Sequence, residues 1–122
     1  MTGRSPIGRY DERTIRSLRD IVRHCEVAAR LVARGRTAYD SDEMLRHAAE
    51  AILIRAGEGV DRIDKAGSGL VEDHPDLELR VLKDARNFVA HAYDLVSPDI
   101  VWEIMEQNLP EVARRITRFL DD

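Results

Sequence analysis

Residues 11–35 have the sequence DERTIRSLRDIVRHCEVAARLVARG, in which apolar side chains recur three and four positions apart. This spacing places one apolar stripe along a single face of an α-helix, and Gly35 is suited to end that helix. The predicted apolar positions are Ile15, Leu18, Val22, Cys25, Ala29 and Val32. A long helix that is apolar on one face must bury that face against other elements, so the segment predicts a helical bundle.

The rest of the chain continues in helical segments that are separated by caps, glycine and proline. A second helix is predicted to begin at a capping box formed by Asp40 and Glu43 and to end at residues 66–69. A loop over 70–76 then leads to a third helix from Leu77 to Leu95. A fourth helix near 98–107 and a fifth near 109–120 follow, with a kink at Pro110. Because β-alternation is missing, the fold class is predicted to be all-α, an antiparallel bundle of four to five helices.

Periodicity also predicts the core positions of the second and third helices. Gly57 and Gly59 lie inside the second pattern, where each costs about 1 kcal/mol relative to Ala. We expect close approach of neighbouring helices at both glycines. The other predicted core positions are Leu45, Ala48, Ile52, Ala56, Val60 and Ile63, then Val81, Ala85, Phe88, Ala92 and Leu95.

The composition is that of one folded helical domain. The 122 residues are 43% apolar, 34% charged and only 5% aromatic, which favours helices over a β-sandwich and excludes a disordered chain. We expect a single domain over residues 1–122, with residues 1–9 flexible. The lone Cys25 excludes an internal disulfide. Since no apolar run reaches about 18 residues, we expect a cytoplasmic protein without a membrane span.

Charge is distributed unevenly along the chain. Residues 1–36 carry nine arginines and four acidic residues, whereas residues 37–122 carry ten basic and nineteen acidic residues. The net charge of −4 argues weakly against non-specific binding of nucleic acid. The sequence therefore describes a basic first segment on an acidic body.

The candidate functional side chains are most concentrated in the stretch RNFVAHAY at residues 86–93. At about 100° per residue, Asn87 and His91 share one helix face, and Arg86 and Tyr93 share another. A surface arginine and a structural histidine at a helix boundary are the alternative interpretation. A metal site is not expected, because the histidines lack ligand spacing and the Glu-x-x-His pairs of bundle metal sites are missing.

The stretch at 84–93, DARNFVAHAY, resembles the R-x4-H-x-Y signature of HepT-like toxins in the HEPN superfamily. The similarity extends to the segment RAGEG at 55–59, to Val101-Trp102 and to Leu109-Pro110. The sequence departs from the family pattern at Asp84-Ala85, before the arginine, and at Asp94, after the tyrosine. The chain is thus similar to the family over about residues 10–120, and a HEPN-like helical domain is expected.

The resemblance implies a metal-independent endoribonuclease toxin of a type VII-like toxin–antitoxin pair. Its catalytic residues would be Arg86, Asn87 and His91, acting on tRNA or mRNA without a cofactor. The implied partner is a cognate MntA-like nucleotidyltransferase antitoxin, which can transfer AMP to Tyr93 to give O-AMP-tyrosine. Family members are homodimers with both motifs facing one cleft. The alternative is a non-catalytic helical subunit that binds and regulates a nucleotidyltransferase.

The residue chemistry agrees with what the resemblance implies. RNA carries its own nucleophile, the ribose 2′-OH, so a protein needs only proton transfer and a cation for the phosphate. His91 is suited to the first task and Arg86 to the second, and Asn87 can orient either group. Arg86 and His91 are five positions apart and point about 140° from each other on one helix. A two-fold partner that completes each site is therefore expected, with a long Arg86 side chain that bends round to the same phosphate as the alternative.

The basic first helix offers a second expected contact with RNA. Four arginines spaced seven positions apart form a stripe roughly opposite the apolar face: Arg9, Arg16, Arg23 and Arg30. We expect this stripe to contact RNA phosphates, with an ordinary solvated helix face as the alternative.

Overall fold

The computed structural model describes residues 8–92 and 96–121, and these residues are almost entirely helical. A 3₁₀ turn at Pro75–Leu77 and a π-helical turn at Ile104–Asn108 interrupt the α-helices. The α-helices are α1 (Glu12–Val32), α2 (Arg36–Ser41), α3 (Glu43–Lys65), α4 (Leu70–Asp73), α5 (Leu79–Ala92), α6 (Pro98–Glu103) and α7 (Leu109–Asp121). The described residues include no β-strand, which confirms the all-α prediction. Among these helices, none combines the length and hydropathy that a membrane span needs.

Helix α3 is the central element of the bundle. It packs against α1 on one side and against α5 on the other, and α7 packs against α1. The contacts of α5 run antiparallel to α3, because Lys83 meets Asp64 and Arg86 lies opposite Gly57. The largest fully buried side chains of the shared core are Leu18, Ile21, Tyr39, Leu53, Ile63, Leu70, Leu77, Leu79, Leu82, Met105, Leu109 and Ile116.

Helix α1 forms as predicted but is rotated slightly relative to its predicted core face. Its buried apolar positions are Ile15, Leu18, Ile21, Cys25, Ala28 and Leu31. The predicted Val22 and Val32 are only half-buried, and Ala29 is exposed. Apolar residues stand next to each other at 21–22 and 28–29, so either member fits the spacing, and packing against α3 and α7 selects the earlier one.

The ends of α1 follow cap chemistry. The Asp11 side chain accepts a hydrogen bond from the Thr14 amide at 2.8 Å, and this bond lowers the pKa of Asp11. The helix ends at Val32 rather than at Gly35. Gly35 has a φ of 94°, which favours glycine, and it lies at the turn into α2.

The predicted capping box at Asp40 is wrong. Asp40 lies inside the short helix α2, where it accepts a hydrogen bond from Arg36 Nε at 2.8 Å. The N-cap of α3 is Asp42, whose side chain accepts from the Met44 amide at 2.9 Å. Aspartates two positions apart both fit a cap pattern, and the tertiary contacts of α2 decide between them. The face of α3 shifts accordingly, with Ala49 buried in place of Ala48.

Helix α2 is attached to the start of α6. The Tyr39 hydroxyl donates to the Pro98 carbonyl at 2.9 Å, and the Tyr39 ring lies 4.9 Å from the Trp102 ring. Arg36 lies over both rings and also pairs with Asp99. These contacts explain why a six-residue helix forms here, although it is too short to be stable alone.

The later part of the chain is more helical than predicted. The expected loop over 70–76 contains α4 and the beginning of the 3₁₀ turn, and α5 begins at Leu79 instead of Leu77. Ser97 caps α6 and Pro98 is its first residue, as the Ser-Pro pair predicts. The predicted interruption near Pro110 is present as the π-helical turn that ends at Asn108. Proline has no amide hydrogen to continue a regular helix. Leu95, the predicted end of the third helix, lies outside the described residues.

Gly57 and Gly59 lie at close helix contacts, as predicted. A Cβ built on Gly57 would lie 2.2 Å from the Arg86 Cβ, and one built on Gly59 would lie 2.7 Å from Ile21 Cγ1. Atoms cannot approach so closely, so only glycine fits at either position without a shift of the neighbouring atoms. Gly57 therefore sets the distance from α3 to α5, and Gly59 sets the distance from α3 to α1.

Candidate active site

The buried face of α5 determines where the RNFVAHAY side chains point. Its buried residues are Leu79, Leu82, Ala85 and Val89, which face α3. Of the predicted stripe, Ala85 is buried, while Val81 and Phe88 are half-buried. The side chain of Ala92 lies outside the described part of the chain. Because the buried face includes Val89, Arg86 lies on the side of α5 that approaches α3.

Arg86 is half-buried, and its stem is held against the backbone of α3. The Cβ and Cγ of Arg86 occupy the space that a side chain at Gly57 would fill. The guanidinium Nη1 donates to Asn87 Oδ1 at 3.2 Å. Its Nε is buried and finds no hydrogen-bond partner among residues 8–92 and 96–121. The Arg86 side chain thus lies at the α3–α5 seam, with Nη1 bonded to Asn87 and Nε unpartnered within those residues.

Asn87 and His91 are both exposed on α5. Asn87 is engaged by Arg86, so the structure brings these two predicted site residues together. The His91 ring makes no hydrogen bond with the described residues. Arg86 leans towards α3 and His91 lies in solvent, which agrees with the divergence expected from their spacing.

An ion-pair cluster fixes α5 on α3 just before the motif. Lys83 Nζ lies 2.7 Å from Asp64 Oδ2 and 3.8 Å from Asp61 Oδ1. The hydrogen bond and charge of Asp64 raise the pKa of Lys83, with a smaller effect from Asp61. This cluster is one turn from Arg86, so it restrains the rotation of α5 at that point.

The remaining predicted site residues lie elsewhere or outside the described residues. Tyr93, the expected site of modification, is not among residues 8–92 and 96–121. The four arginines of the predicted stripe, Arg9, Arg16, Arg23 and Arg30, are exposed, and Arg9 precedes the first residue of α1. Arg23 pairs with Asp20 at 3.4 Å. Because α1 packs against α3 and α7, this stripe is on a different part of the bundle from α5.

The chain matches the model of a known protein family. The family model described as "Ribonuclease HepT-like" matches residues 16–119, which include all of α5. The chain belongs to the HepT-like ribonuclease family. This finding confirms the resemblance drawn from the motif. No curated protein and no solved structure matches the chain.

Two features of this HepT-like site were not evident from its motif. The sequence predicted a close helix contact at Gly57, but it did not indicate that Arg86 is the residue in contact there. The Lys83 pairs with Asp61 and Asp64 were also missed, although acidic residues three positions apart on one helix are a detectable signal. Within the described ranges, no group of three or more His, Cys, Asp or Glu side chains is arranged to hold a metal ion.

Proposed function

We propose that this HepT-like chain is a metal-independent endoribonuclease toxin whose catalytic residues are Arg86, Asn87 and His91. The observation that carries the proposal is the arrangement on α5. A guanidinium whose Nε has no partner among the described residues is braced against Gly57 and bonded to an exposed amide, and an exposed imidazole lies about one turn further along the same helix. A surface arginine with only a solvating role would not need a glycine to hold its stem.

The proposed reaction uses the ribose 2′-OH of the substrate as nucleophile. His91 accepts the 2′-OH proton while the 2′-oxygen forms a bond to phosphorus. The bond from phosphorus to the 5′-oxygen breaks, the leaving oxygen takes up a proton from water, and His91 returns its proton to the solvent. The products are a 2′,3′-cyclic phosphate and a 5′-OH end. Arg86 donates hydrogen bonds to the phosphate oxygens as their negative charge increases, and Asn87 holds the guanidinium in place.

A homodimer is part of the proposal. Arg86 is held towards α3 and His91 projects into solvent, so one helix does not direct both at a single phosphate. A second copy related by a two-fold axis near α5 provides the missing group to each site. The four exposed arginines of the stripe, Arg9, Arg16, Arg23 and Arg30, are proposed to contact RNA phosphates outside the cleavage site.

Control by a cognate MntA-like nucleotidyltransferase completes the proposal. The enzyme transfers AMP from ATP to the Tyr93 hydroxyl and releases pyrophosphate. Tyr93 is seven positions after Arg86, which places the two on one face if the helix continues. The added phosphodiester carries a negative charge that competes with RNA for the Arg86 guanidinium.

Expression of the chain alone and cleavage of end-labelled RNA test the proposed function. The parent chain is expected to stop growth and cut RNA, and His91→Ala is expected to do neither. Arg86→Met keeps the stem that packs on Gly57 while removing the charge, so it should also be inactive but folded. His47 is also an exposed histidine, but it lies on α3. His47→Ala is therefore the matched control and should remain active.

The alternative function, a non-catalytic subunit, predicts a different result. The purified chain would then leave RNA intact while still changing the activity of the nucleotidyltransferase. Equal cleavage by the parent and His91→Ala would also contradict the assigned role of His91. The fluorescence of Trp102, the only tryptophan, reports whether each variant is folded.

A further inference from the structure

A cavity of about 300 Å³ opens at the N-terminal end of α1, on a different element from the proposed catalytic residues. It has an aromatic wall, an apolar floor and a charged rim. The residues that line it are Tyr10, Glu12, Ile15, Arg16 and Arg19. Only Arg16 belongs to the stripe expected from the sequence, so the cavity is a separate feature of the fold.

The aromatic wall is held in place by two other elements. The Tyr10 hydroxyl lies 3.1 Å from His74 Nε2, and the Tyr10 ring centroid lies 6.2 Å from that of His74. The Phe119 ring of α7 lies 6.3 Å from Tyr10. The half-buried Tyr10 ring is therefore fixed before any ligand binds, and its hydroxyl already has a partner. Beside the ring, the buried Ile15 provides an apolar surface.

The rim of the cavity has an excess of positive charge. Arg16 and Arg19 are exposed and three positions apart on one face of α1. In the part of the chain that the structure describes, neither has an ion pair or a side-chain hydrogen bond. Arg23 and Arg114, by contrast, are paired with Asp20 and Glu111. The unpaired guanidinium groups of Arg16 and Arg19 are thus available to an anion.

We propose that this cavity binds one nucleotide of a single-stranded RNA, with its base against Tyr10 and Ile15 and its phosphate between Arg16 and Arg19. A fixed aromatic ring next to unpaired arginines is the combination that recognises an unstacked base and its backbone. A duplex is disfavoured, since its bases are already stacked on each other. The Glu12 carboxylate can accept a hydrogen bond from an exocyclic amino group of the base.

The inference rests on the proposed function for the source of the ligand, but it is tested by binding rather than by cleavage. The probe is a fluorescent single-stranded oligoribonucleotide, titrated into the full chain carrying His91→Ala so that it is not cut. Tyr10→Ala is expected to weaken binding about 5- to 150-fold, the range found for loss of one base–aromatic stack. Tyr10→Phe retains the ring and should bind within about twofold of the parent.

The arginines are tested by the salt dependence of binding. Each lost phosphate contact on a single strand should reduce the slope of log K against log salt by about 0.7. Arg16→Gln and Arg19→Gln should each show this reduction. Arg34→Gln, which removes an exposed arginine at the other end of α1, is the matched control and should leave the slope unchanged.

A photoreactive oligonucleotide gives a test that needs no variant at Tyr10. A 4-thiouridine strand cross-linked to the chain should modify the peptide that contains Tyr10. Cross-links confined to other peptides, or Tyr10→Ala binding as tightly as the parent, would overturn the proposal.

The outcomes separate this inference from the proposed function. If RNA binds in a Tyr10-dependent manner but the parent chain does not cut it, the nuclease proposal fails and the cavity stands. If the parent chain cuts RNA and Tyr10→Ala cuts it with the same KM, the nuclease proposal stands and the cavity proposal fails. Urea unfolding followed by Trp102 fluorescence shows whether loss of the Tyr10–Phe119 contact has affected folding.

Discussion

Gly57 of α3 and Arg86 of α5 are in backbone-level contact: a Cβ at position 57 would lie 2.2 Å from the Arg86 Cβ and 2.8 Å from the Leu82 carbonyl oxygen. The Arg86 Cβ and Cγ fit against α3 only because residue 57 has no side chain. The contact limits the rotamers open to Arg86, so its guanidinium loses little further freedom on binding a phosphate. An unusual glycine inside a helix is thereby connected to the proposed catalytic site.

Gly57→Ala is expected to destabilise the chain even though alanine is the better helix former. Overpacking of this kind costs about 1–3 kcal/mol, against a gain of about 1 kcal/mol in helix propensity. We expect a lower urea midpoint and reduced RNA cleavage. Gly8→Ala, where an added methyl meets nothing within 4 Å, is the control. A more stable and fully active Gly57→Ala chain would show that the contact does not constrain Arg86.

Mixing two inactive variants tests the proposed two-fold site. His91→Ala and Arg86→Met each lack one group, so each homodimer is expected to be inactive. In a heterodimer one of the two composite sites retains both groups, and up to about a quarter of the parent activity should return if subunits exchange freely, since half of the dimers are then mixed. Sedimentation measures the oligomeric state in parallel. A fully active monomer would exclude the composite site.

Tyr93→Phe is expected to remain an active ribonuclease that its antitoxin cannot silence by modification. The variant keeps the ring but loses the hydroxyl that would accept AMP. Incubation with the cognate nucleotidyltransferase, ATP and Mg²⁺, followed by peptide mass mapping, measures the transfer. AMP on a different residue, or a Phe variant that is still inactivated by modification, would assign the switch elsewhere.

His24 is expected to make stability dependent on pH. Burial lowers its pKa below the ordinary 6.5, with Arg23, Arg55 and Arg62 adding to the effect and Asp20 opposing it. The unfolded chain therefore binds a proton more readily than the folded one, and folding stability falls as the pH drops below about 6.5. Urea midpoints between pH 8 and pH 5.5 should show this slope. His24→Gln should flatten it, and an equal slope in that variant would assign the effect to other groups.

The sequence was sufficient to predict the helical class and the approximate extent of the long helices. Caps at Asp11 and Ser97 and the spacing of apolar residues are local signals, and both can be read without a structure. The exact core face of α1 could not be predicted, because Ile21 and Val22 are equally apolar. Helix α2 was missed for a different reason: its stabilising contacts, from Tyr39 to Pro98 and Trp102, are long-range.

The sequence indicates which residues form the candidate site, and their roles stay a prediction, but it does not indicate how they are arranged. Arg86, Asn87 and His91 follow from the motif, and their divergence follows from helix geometry. The contact of Arg86 with Gly57 depends on the rotation of α5 relative to α3. The periodicity of apolar residues does not fix the buried face of α5 to better than one residue. The cavity at Tyr10 depends on His74 and Phe119, which are distant in sequence, so no local pattern indicates it.

The two glycines of α3 have a joint consequence for any RNA that reaches both sites. They are two positions apart, about 200° around the helix, so one faces α5 and the other faces α1. The close packing of both neighbouring helices therefore depends on glycine at these two positions of α3, against Arg86 and Leu82 of α5 and against the Ile21 side chain of α1. An RNA strand that contacts both α1 and α5 would have to span the distance between these two helices. A methyl group added at Gly57 or at Gly59 is expected to lengthen that distance.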